Sequence, residues 1–267
     1  MAFIATLARD RLPDWPALLL GYALATVLIG YALPWCERRF PGNRAVSLTR
    51  FAGPLLVLPF AYTAAARTVL VLHGRYLDEA VTTWETALFG ISPNAAVAAL
   101  ATPPLTELLM LCYFSFYGCF LLPFILRGQG RAALAERYLF AALLTLAICY
   151  LGFVAVPLAG PAAVEQPPGY LIATVQDHIM RTLDPPGTCF PSPHVAGAWI
   201  TLLCLRRSLS APARRALWTL TSGLTVAVVY AGFHYVVDVV AGLAVALAVH
   251  AVTKRYAERP ARPRILL

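Results

Sequence analysis

Long apolar stretches, separated by polar connections, run through almost the whole chain. A transmembrane α-helix needs roughly 20 consecutive apolar residues, and most of these stretches reach or approach that length. Because the fifth is short, the pattern predicts an all-α, polytopic transmembrane helix bundle of six to seven spans, forming a single domain over residues 1–267. The stretches cover about residues 16–36, 51–72, 104–126, 138–158, 193–209, 216–233 and 235–253.

Two long connections contain helical patterns of their own. The first, about residues 73–103, includes DEAVTTWETALFG, and the second, about 159–192, includes YLIATVQDHIMRTL between proline–glycine turn signals. Apolar residues of the second segment recur at helical spacing, so we expect a helix on the membrane surface with Gln176, Asp177, His178 and Arg181 towards water. Both segments are therefore predicted to be short interfacial helices in outer loops.

The composition and the charge distribution indicate a membrane protein. The chain is 60% hydrophobic and 13% charged, whereas soluble domains are about a quarter charged. Sixteen of its 21 lysines and arginines fall in four clusters, within residues 38–50, 127–137, 206–215 and 254–264. With seven spans these clusters occupy alternate connections, which the positive-inside rule makes cytoplasmic. We expect an integral protein of the plasma (inner) membrane, with its N-terminus outside, its C-terminus cytoplasmic and no nucleic-acid partner.

The six cysteines lie mostly within or at the ends of the predicted spans, and only Cys189 falls in a clear outer loop. No CxxC spacing suggests a metal site, and no outer pair is available to form a disulfide. The cysteines are therefore interpreted as small, buried apolar residues.

Ser192 and Pro193, just ahead of the fifth apolar stretch, predict the start of a helix. Serine is a favoured N-cap and proline a favoured first helical residue. His194 would then lie in the first turn, where free backbone N–H groups and the helix dipole favour a bound anion. A helix cap explains the Ser-Pro pair, but it does not explain the histidine.

His234 and Asp238 are four residues apart, which places them on one face of the seventh predicted helix. A carboxylate inside a span costs about 2.5–3.5 kcal/mol on insertion scales, so Asp238 needs a partner, and His234 is the nearest. The carboxylate would fix the imidazole tautomer and leave the other ring nitrogen as a nucleophile or base. A purely structural His–Asp pair is the alternative.

The predicted topology places both His194 and His234 on the outer side of the membrane. Two imidazoles, one backed by a carboxylate, beside a helix N-terminus suit in-line phosphoryl chemistry. One ring would attack phosphorus, and the other would protonate the leaving oxygen.

The strings FPSPH and HYVVD resemble the second and third signature motifs of the type-2 phosphatidic acid phosphatase superfamily. They look most similar to the branch that contains the inositol phosphorylceramide synthases. TALFGISP, TPPLTELLMLCYFSFY and VPLAGP extend the resemblance upstream, so that it covers about residues 75–250. Each motif alone is weak, but their order on one membrane face is fairly specific.

The resemblance implies an enzyme without metal or cofactor that acts on a lipid phosphate at the extracytoplasmic face. It implies that His234 is the nucleophile that forms a phosphohistidine and that Asp238 orients it. It also implies that His194 is the general acid and Ser192 a phosphate contact. An alcohol acceptor would give an inositolphosphotransferase-like enzyme, whereas water would give a lipid phosphate or polyprenyl phosphate phosphatase.

The arginines with which the superfamily's phosphatases bind phosphate are missing. Val228 and Gly232 stand where arginine is usual before the third motif, and Ala162 follows VPLAGP where relatives often have arginine. Either other cations reach the site, or the substrate is a phosphodiester, whose single negative charge needs less compensation. The candidate cations are Arg67, Arg75 and Arg181; for Arg67, which lies within a span, the alternative is that its side chain only reaches the outer headgroups.

Three tyrosines are candidates to line the pocket with hydroxyl groups. Tyr113 and Tyr117 are four residues apart on the third predicted span, and Tyr230 lies on the sixth. Aromatic residues at helical spacing also serve simply as packing, which is the alternative for all three.

A non-catalytic protein is the rival interpretation, either a transporter with a His–Asp proton relay or a degenerate family member. A relay needs ionisable residues throughout the membrane depth, whereas here they cluster on one side, apart from Arg67 and Glu107. The missing arginines favour a degenerate member, but His194, His234 and Asp238 are all present, which favours catalysis. The sequence leaves the oligomeric state open.

Overall fold

The computed structural model describes residues 13–161 and 167–258, without the side chains of 255–258. Every regular element in these ranges is helical, which confirms the predicted all-α fold, and a π-helical turn at Leu28–Ala32 joins the first two helices. The helices are α1 (Trp15–Val27), α2 (Leu33–Arg39), α3 (Arg44–His73), α4 (Asp78–Phe89), α5 (Pro93–Ala98), α6 (Pro103–Gly118), α7 (Leu122–Gly128), α8 (Ala132–Ala155), α9 (Leu171–Leu183), α10 (Pro193–Leu205), α11 (Ala211–Tyr230) and α12 (Val236–Glu258).

Four helical segments in the described ranges are long and apolar enough to cross a membrane. A fifth span results if α6 and α7, which meet at a bend of 55°, are counted together. The predicted count of six to seven spans is therefore not confirmed, because α10 and α11 do not meet the length and hydropathy requirements. The four segments are Trp15–Arg39, Arg44–His73, Ala132–Ala155 and Val236–Lys254.

The short helix α10 lies at the centre of the bundle. Its 13 residues extend about 20 Å at 1.5 Å per residue, less than the ~30 Å hydrocarbon core. Its side chains are buried on almost all sides, against α6 and α11 on one flank and α8 and α12 on another. A helix enclosed by protein need not cover the full bilayer thickness, because neighbouring helices shield its ends from lipid.

Two glycines allow the helices around α10 to approach closely. A Cβ atom added at Gly242 of α12 would lie 2.6 Å from the carbonyl oxygen of Ser192, at the start of α10. A Cβ atom added at Gly197 of α10 would lie 2.6 Å from the ring of Phe116 in α6. The packing of α10 against α12 and α6 therefore requires hydrogen at both positions.

The two predicted loop helices are present as α4 and α9. The orientation predicted for α9 is wrong at one position, because Gln176 is fully buried and its amide donates to the Tyr117 hydroxyl at 3.5 Å. Ile172 and Met180 also pack against the core. The helix therefore docks one mixed face onto the bundle.

The basic residues lie at the opposite helix ends from the two histidine motifs. Arg206 directly follows α10, and Lys254 lies near the end of α12. His194 and Asp238, by contrast, lie in the first turns of these two helices. The helices thus have one basic end and one end that carries the candidate chemistry.

Candidate active site

The two histidines predicted to share a site are in direct contact. The Nδ1 atom of His194 lies 3.3 Å from the Nε2 atom of His234, although the residues are 40 positions apart. Both side chains are buried, with exposed fractions of 8% and 3%. The fold therefore brings the two motifs to a single point.

Helix α10 fixes the position of His194. Ser192 is the N-cap, its hydroxyl accepts from the Val195 N–H at 3.3 Å, and Pro193 is the first helical residue, as predicted. The Tyr113 hydroxyl is 2.9 Å from Nε2 of His194, and the Phe116 ring packs edge-on against the imidazole. The ring is thus oriented with Nδ1 towards His234.

His234 lies in the turn between α11 and α12, not on the last helix as predicted. The helix begins at Val236, and Gly232, at φ 68°, reverses the chain ahead of the histidine. The His234 N–H donates to the Val228 carbonyl at 3.0 Å, and its carbonyl accepts from the Asn94 amide at 3.0 Å. Backbone contacts on both sides therefore hold this residue in place.

Asp238 caps the start of α12 with the same oxygen that faces His234. Its Oδ2 atom accepts from the Tyr235 N–H at 2.8 Å, as an acidic residue at the third helical position does in a capping box. The same Oδ2 lies 3.6 Å from Nδ1 of His234, which is an ion-pair distance but too long for a hydrogen bond. Asp238 therefore orients the imidazole only in part by direct contact.

The thiol of Cys189 bridges the gap between the acid and the imidazole. Its Sγ atom lies 2.9 Å from Oδ2 of Asp238 and 3.3 Å from Nδ1 of His234. The interpretation of every cysteine as an apolar filler is therefore wrong at this position. Burial and the adjacent carboxylate raise the pKa of the Cys189 thiol well above its usual value, which keeps it a neutral donor.

One proton arrangement satisfies this chain of contacts. If Nδ1 of His194 carries a hydrogen, it donates to Nε2 of His234, which is then unprotonated. Nδ1 of His234 carries the other hydrogen, directed at Cys189 and Asp238. This assignment follows from the network of partners, and it leaves Nε2 of His234 with a lone pair available for attack.

Cys189, His234 and Asp238 also form a potential metal-ligand set. Their donor atoms lie within 4.8 Å of one another, and all three residues are buried. The thiol already donates to the carboxylate, so the three groups satisfy one another in part. The predicted absence of a metal stays a prediction.

His194 forms part of the wall of a cavity of about 320 Å³ between α3, α6, α8, α9 and α10. Tyr117 lies on the same wall, and Tyr113 reaches the site through its bond to His194. No lysine or arginine from the described ranges lines this cavity. The apolar and aromatic lining residues are Leu55, Leu58, Pro59, Tyr62, Phe116, Tyr117, Phe120, Leu146, Tyr150, Ile179, Met180, Leu183 and Pro193.

The three candidate cations lie elsewhere. Arg67 pairs with Asp14, and Arg181 pairs with Asp177 on its own helix at 2.7 Å. Arg75 is exposed beside α4. None of them compensates for the missing phosphate-binding arginines in this structure, and Ala162 lies outside the described residues.

Two other predicted contacts have structural roles. Tyr230 is buried, and its hydroxyl is 2.7 Å from that of Thr106, so it ties α11 to α6 inside the core. The Ser192 side chain is fully buried at the N-cap. The backbone N–H of His194, in contrast, has no hydrogen-bond partner among the described residues, as is usual for the first turn of a helix.

Three polar residues near the site were not identified from the sequence. Asn94 binds the backbone of His234, and Glu85 of α4 accepts from the Val237 N–H at 2.8 Å. Asp184, at the end of α9, lines the cavity. Only the fold reveals the first two contacts, because they join residues 140 or more positions apart and leave no local pattern in the sequence.

The residues of this site lie within a segment that matches a known protein family. Residues 79–252 match the PAP2 superfamily, a span that includes His194, His234 and Asp238. The chain belongs to the PAP2 superfamily. Comparison with curated proteins and with solved structures gave no significant match.

PAP2 membership and the apolar helices establish an integral membrane protein. Membership also supports a function of the lipid phosphatase or phosphotransferase type. The matched residues 79–252 nearly coincide with the region of about 75–250 expected from the motifs. The match does not distinguish the inositol phosphorylceramide synthase branch from the rest of the superfamily.

In this PAP2 site, the bridging thiol of Cys189 leads to a first prediction. Cys189→Ala should lower kcat on a lipid phosphate about tenfold, because it leaves the buried Asp238 carboxylate without the donor between it and His234. Cys189→Ser should keep most of the activity, because a hydroxyl can donate to Asp238 from nearly the same place. The measurement is kcat for both variants in detergent micelles.

Cys149→Ala is the matched control, because Cys149 is also buried, in α8, and belongs to a hydrophobic cluster away from His234 and Asp238. Equal losses of kcat in Cys189→Ala and Cys149→Ala would show that Cys189 only fills space. A Cys189→Ser variant as impaired as Cys189→Ala would also contradict the donor role.

Proposed function

We propose that this protein transfers or hydrolyses the phospho-headgroup of a membrane lipid through a phosphohistidine at His234. The observation that carries the proposal is the alignment of three groups. Nε2 of His234 lies 3.3 Å from His194, while Nδ1 on the opposite side of the ring lies 3.6 Å from Asp238. A nucleophile backed by an acid and facing a second proton carrier is the arrangement that covalent catalysis needs.

In the first step, Nε2 of His234 attacks phosphorus, and the bond from phosphorus to the leaving lipid oxygen breaks. His194 enters this step as an imidazolium, with a hydrogen on each ring nitrogen; the leaving oxygen takes the proton from Nδ1, and His194 is left neutral. In the second step, an alcohol or water attacks phosphorus, its proton passes to His194, and the phosphorus–nitrogen bond breaks. The two steps share one intermediate and restore both imidazoles.

Substrate binding must separate the two rings. At 3.3 Å they are in mutual hydrogen-bond contact, so a phosphoryl group has no room between them. The backbone N–H of His194, at the start of α10, is available to the phosphoryl oxygens, and the N-terminal end of a helix favours negative charge. The contact between the rings therefore holds the free enzyme in one proton arrangement until the substrate replaces it.

A phosphodiester fits this cavity better than a phosphomonoester. A monoester dianion requires cationic partners in a dehydrated pocket, and no lysine or arginine of the described chain lines it. The charge of a diester is −1, which one helix N-terminus and a protonated histidine can balance. We therefore favour transfer of a phospho-headgroup to an alcohol acceptor, the reaction type of an inositolphosphotransferase, over phosphatase activity.

The polarity of the helices supports an extracytoplasmic site. The basic residues Arg206 and Lys254 lie at the ends of α10 and α12 opposite to the histidines. The positive-inside rule assigns such ends to the cytoplasm, which gives His194 and His234 the outer face.

The test uses purified protein in detergent with labelled phosphomonoester and phosphodiester lipids, each with and without an alcohol acceptor. The proposal expects turnover of the diester and formation of a new diester when alcohol is added. Rapid release of inorganic phosphate from monoesters, without competition by alcohol, would replace the transferase with a phosphatase. No turnover of any lipid would favour a degenerate member or a transporter.

A further inference from the structure

Asp184 places a negative charge in the wall of a cavity that is expected to take a phosphate. The residue follows α9 directly and lines the same cavity as His194. It is partly buried, and that burial raises the pKa of its carboxyl group. A carboxylate in this place repels an anionic headgroup, so its presence needs a different explanation.

The hydrogen bonds of Asp184 leave one of its oxygens unused. The Tyr62 hydroxyl and the Thr188 hydroxyl, the latter at 3.1 Å, both donate to Oδ1. No group of the described residues donates to Oδ2, and no lysine or arginine among them pairs with this carboxylate. A partly buried carboxylate without a cation is destabilised. A positively charged group bound next to Asp184 would therefore stabilise it.

Aromatic rings line the same cavity as this carboxylate. Tyr62 contributes both a hydroxyl to Asp184 and its ring to the wall, and Tyr150 packs against that ring at 5.6 Å between centroids. Phe116, Tyr117 and Phe120 line the same space. Aromatic faces attract organic cations, and aromatic cages are a recurrent device for binding quaternary ammonium groups.

We infer that the substrate is a zwitterionic phospholipid whose headgroup ends in an ammonium group, as in choline or ethanolamine esters. The ammonium binds between Oδ2 of Asp184 and the aromatic rings, while the phosphodiester lies at His194 and His234. This inference rests on the proposed function and names the substrate class of the same site. The leaving group of the first step is then the diacylglycerol oxygen, and the phospho-ammonium headgroup is carried by His234.

Charge balance distinguishes this substrate class from the others. The ammonium charge of +1 compensates Asp184, and the phosphodiester charge of −1 faces the histidines and the start of α10. A neutral inositol headgroup leaves Asp184 without a cation, although the motifs resemble an inositol-using branch. A phosphomonoester dianion meets Asp184 with charge of the same sign.

The experiment compares lipids with identical acyl chains and different headgroups: phosphatidylcholine, phosphatidylethanolamine, phosphatidylinositol and phosphatidylglycerol. For the unmodified protein we expect kcat/KM to be roughly tenfold or more higher for the two ammonium lipids, the effect of one charge pair in a partly dehydrated site. Asp184→Asn should remove this preference through a lower kcat/KM for the two ammonium lipids, because the amide no longer offers a negative charge to the ammonium group. Glu79→Gln is the matched control, because it removes an exposed carboxylate outside the cavity.

Failure of this inference is distinguishable from failure of the proposed function. Turnover with equal or higher kcat/KM for inositol or glycerol headgroups would overturn the ammonium site and leave the proposed function standing. Equal losses for all four lipids in Asp184→Asn would also overturn it, and would assign Asp184 to the reaction itself.

A binding measurement covers the case in which no lipid is turned over. Short-chain phosphatidylcholine should bind His234→Ala, which retains the cavity, at least tenfold more tightly than short-chain phosphatidylglycerol does. The double variant His234→Ala, Asp184→Asn should lose that difference. Equal binding of both lipids by His234→Ala would overturn the inference whatever the activity.

Discussion

Replacing His234 with alanine is expected to lower kcat on a labelled phosphodiester lipid by ~10⁴-fold or more, because the variant lacks the proposed nucleophile. The loss should be in kcat and not in KM, since the cavity formed by α3, α6 and α9 is unchanged. A second measurement is independent of the overall rate. Rapid quenching of the unmodified protein should trap an acid-labile, base-stable label on the chain, and His234→Ala should show none.

His250→Ala is the matched control for this change. His250 lies on α12 near its other end, beside the cavity that Arg137 and Lys254 line, and it has no contact with His194 or His234. Its replacement should leave kcat and the trapped label unchanged. Turnover that survives in His234→Ala would show that the phosphohistidine mechanism is wrong.

Replacing His194 with alanine is expected to have an effect that depends on the leaving group. With a lipid alkoxide as leaving group, loss of general acid catalysis should lower kcat by ~10²–10⁴-fold. With a nitrophenyl phosphodiester, the first step should remain fast because a nitrophenolate leaves without protonation. The variant should therefore release a burst of nitrophenolate, equal to one per enzyme, followed by slow turnover that waits for the acceptor.

His178→Ala is the control for this second change, because His178 is an exposed histidine on α9 that does not line the cavity. It should behave like the unmodified protein with both substrates. Equal losses of His194→Ala on the lipid and the nitrophenyl ester, without a burst, would exclude His194 as the general acid and make it a binding residue.

Local sequence signals predicted the parts of the site that depend on neighbouring residues. The backbone preferences of Ser192 and Pro193 indicate the start of a helix. The position of His194 in the first turn of that helix could therefore be predicted from its two neighbours. Local sequence likewise predicted the short helix α4, and helical spacing of apolar residues predicted α9. The pairing of His194 with His234 required one further element, the order of spans, and family motifs supplied an independent reason to bring them together.

Contacts between distant segments could not be predicted in this way. Cys189 reaches Asp238 across 49 residues, and nothing in its apolar sequence context separates it from the other cysteines. Arg67 was a candidate cation for the phosphate site, but the structure pairs it with Asp14. Gln176 was assigned to water because it is polar, yet burial against Tyr117 decides its position.

The role of Asp184 also could not be predicted from the sequence. Its position just after a predicted surface helix suggests nothing beyond a solvent-exposed turn. Only the fold of α9 over the bundle brings it into the cavity with Tyr62 and Thr188. The sequence therefore indicated the reaction chemistry better than the substrate, because reacting groups lie in short motifs and substrate contacts come from several helices.

The close approach at Gly242 determines how the reaction centre can make room. A methyl group there would strike the Ser192 carbonyl, so the backbones that carry the two imidazoles already touch and cannot draw closer or rearrange independently. The space for phosphorus is then expected to come from rotation of the two rings about their side-chain bonds, while the helix starts that carry them act as a fixed frame.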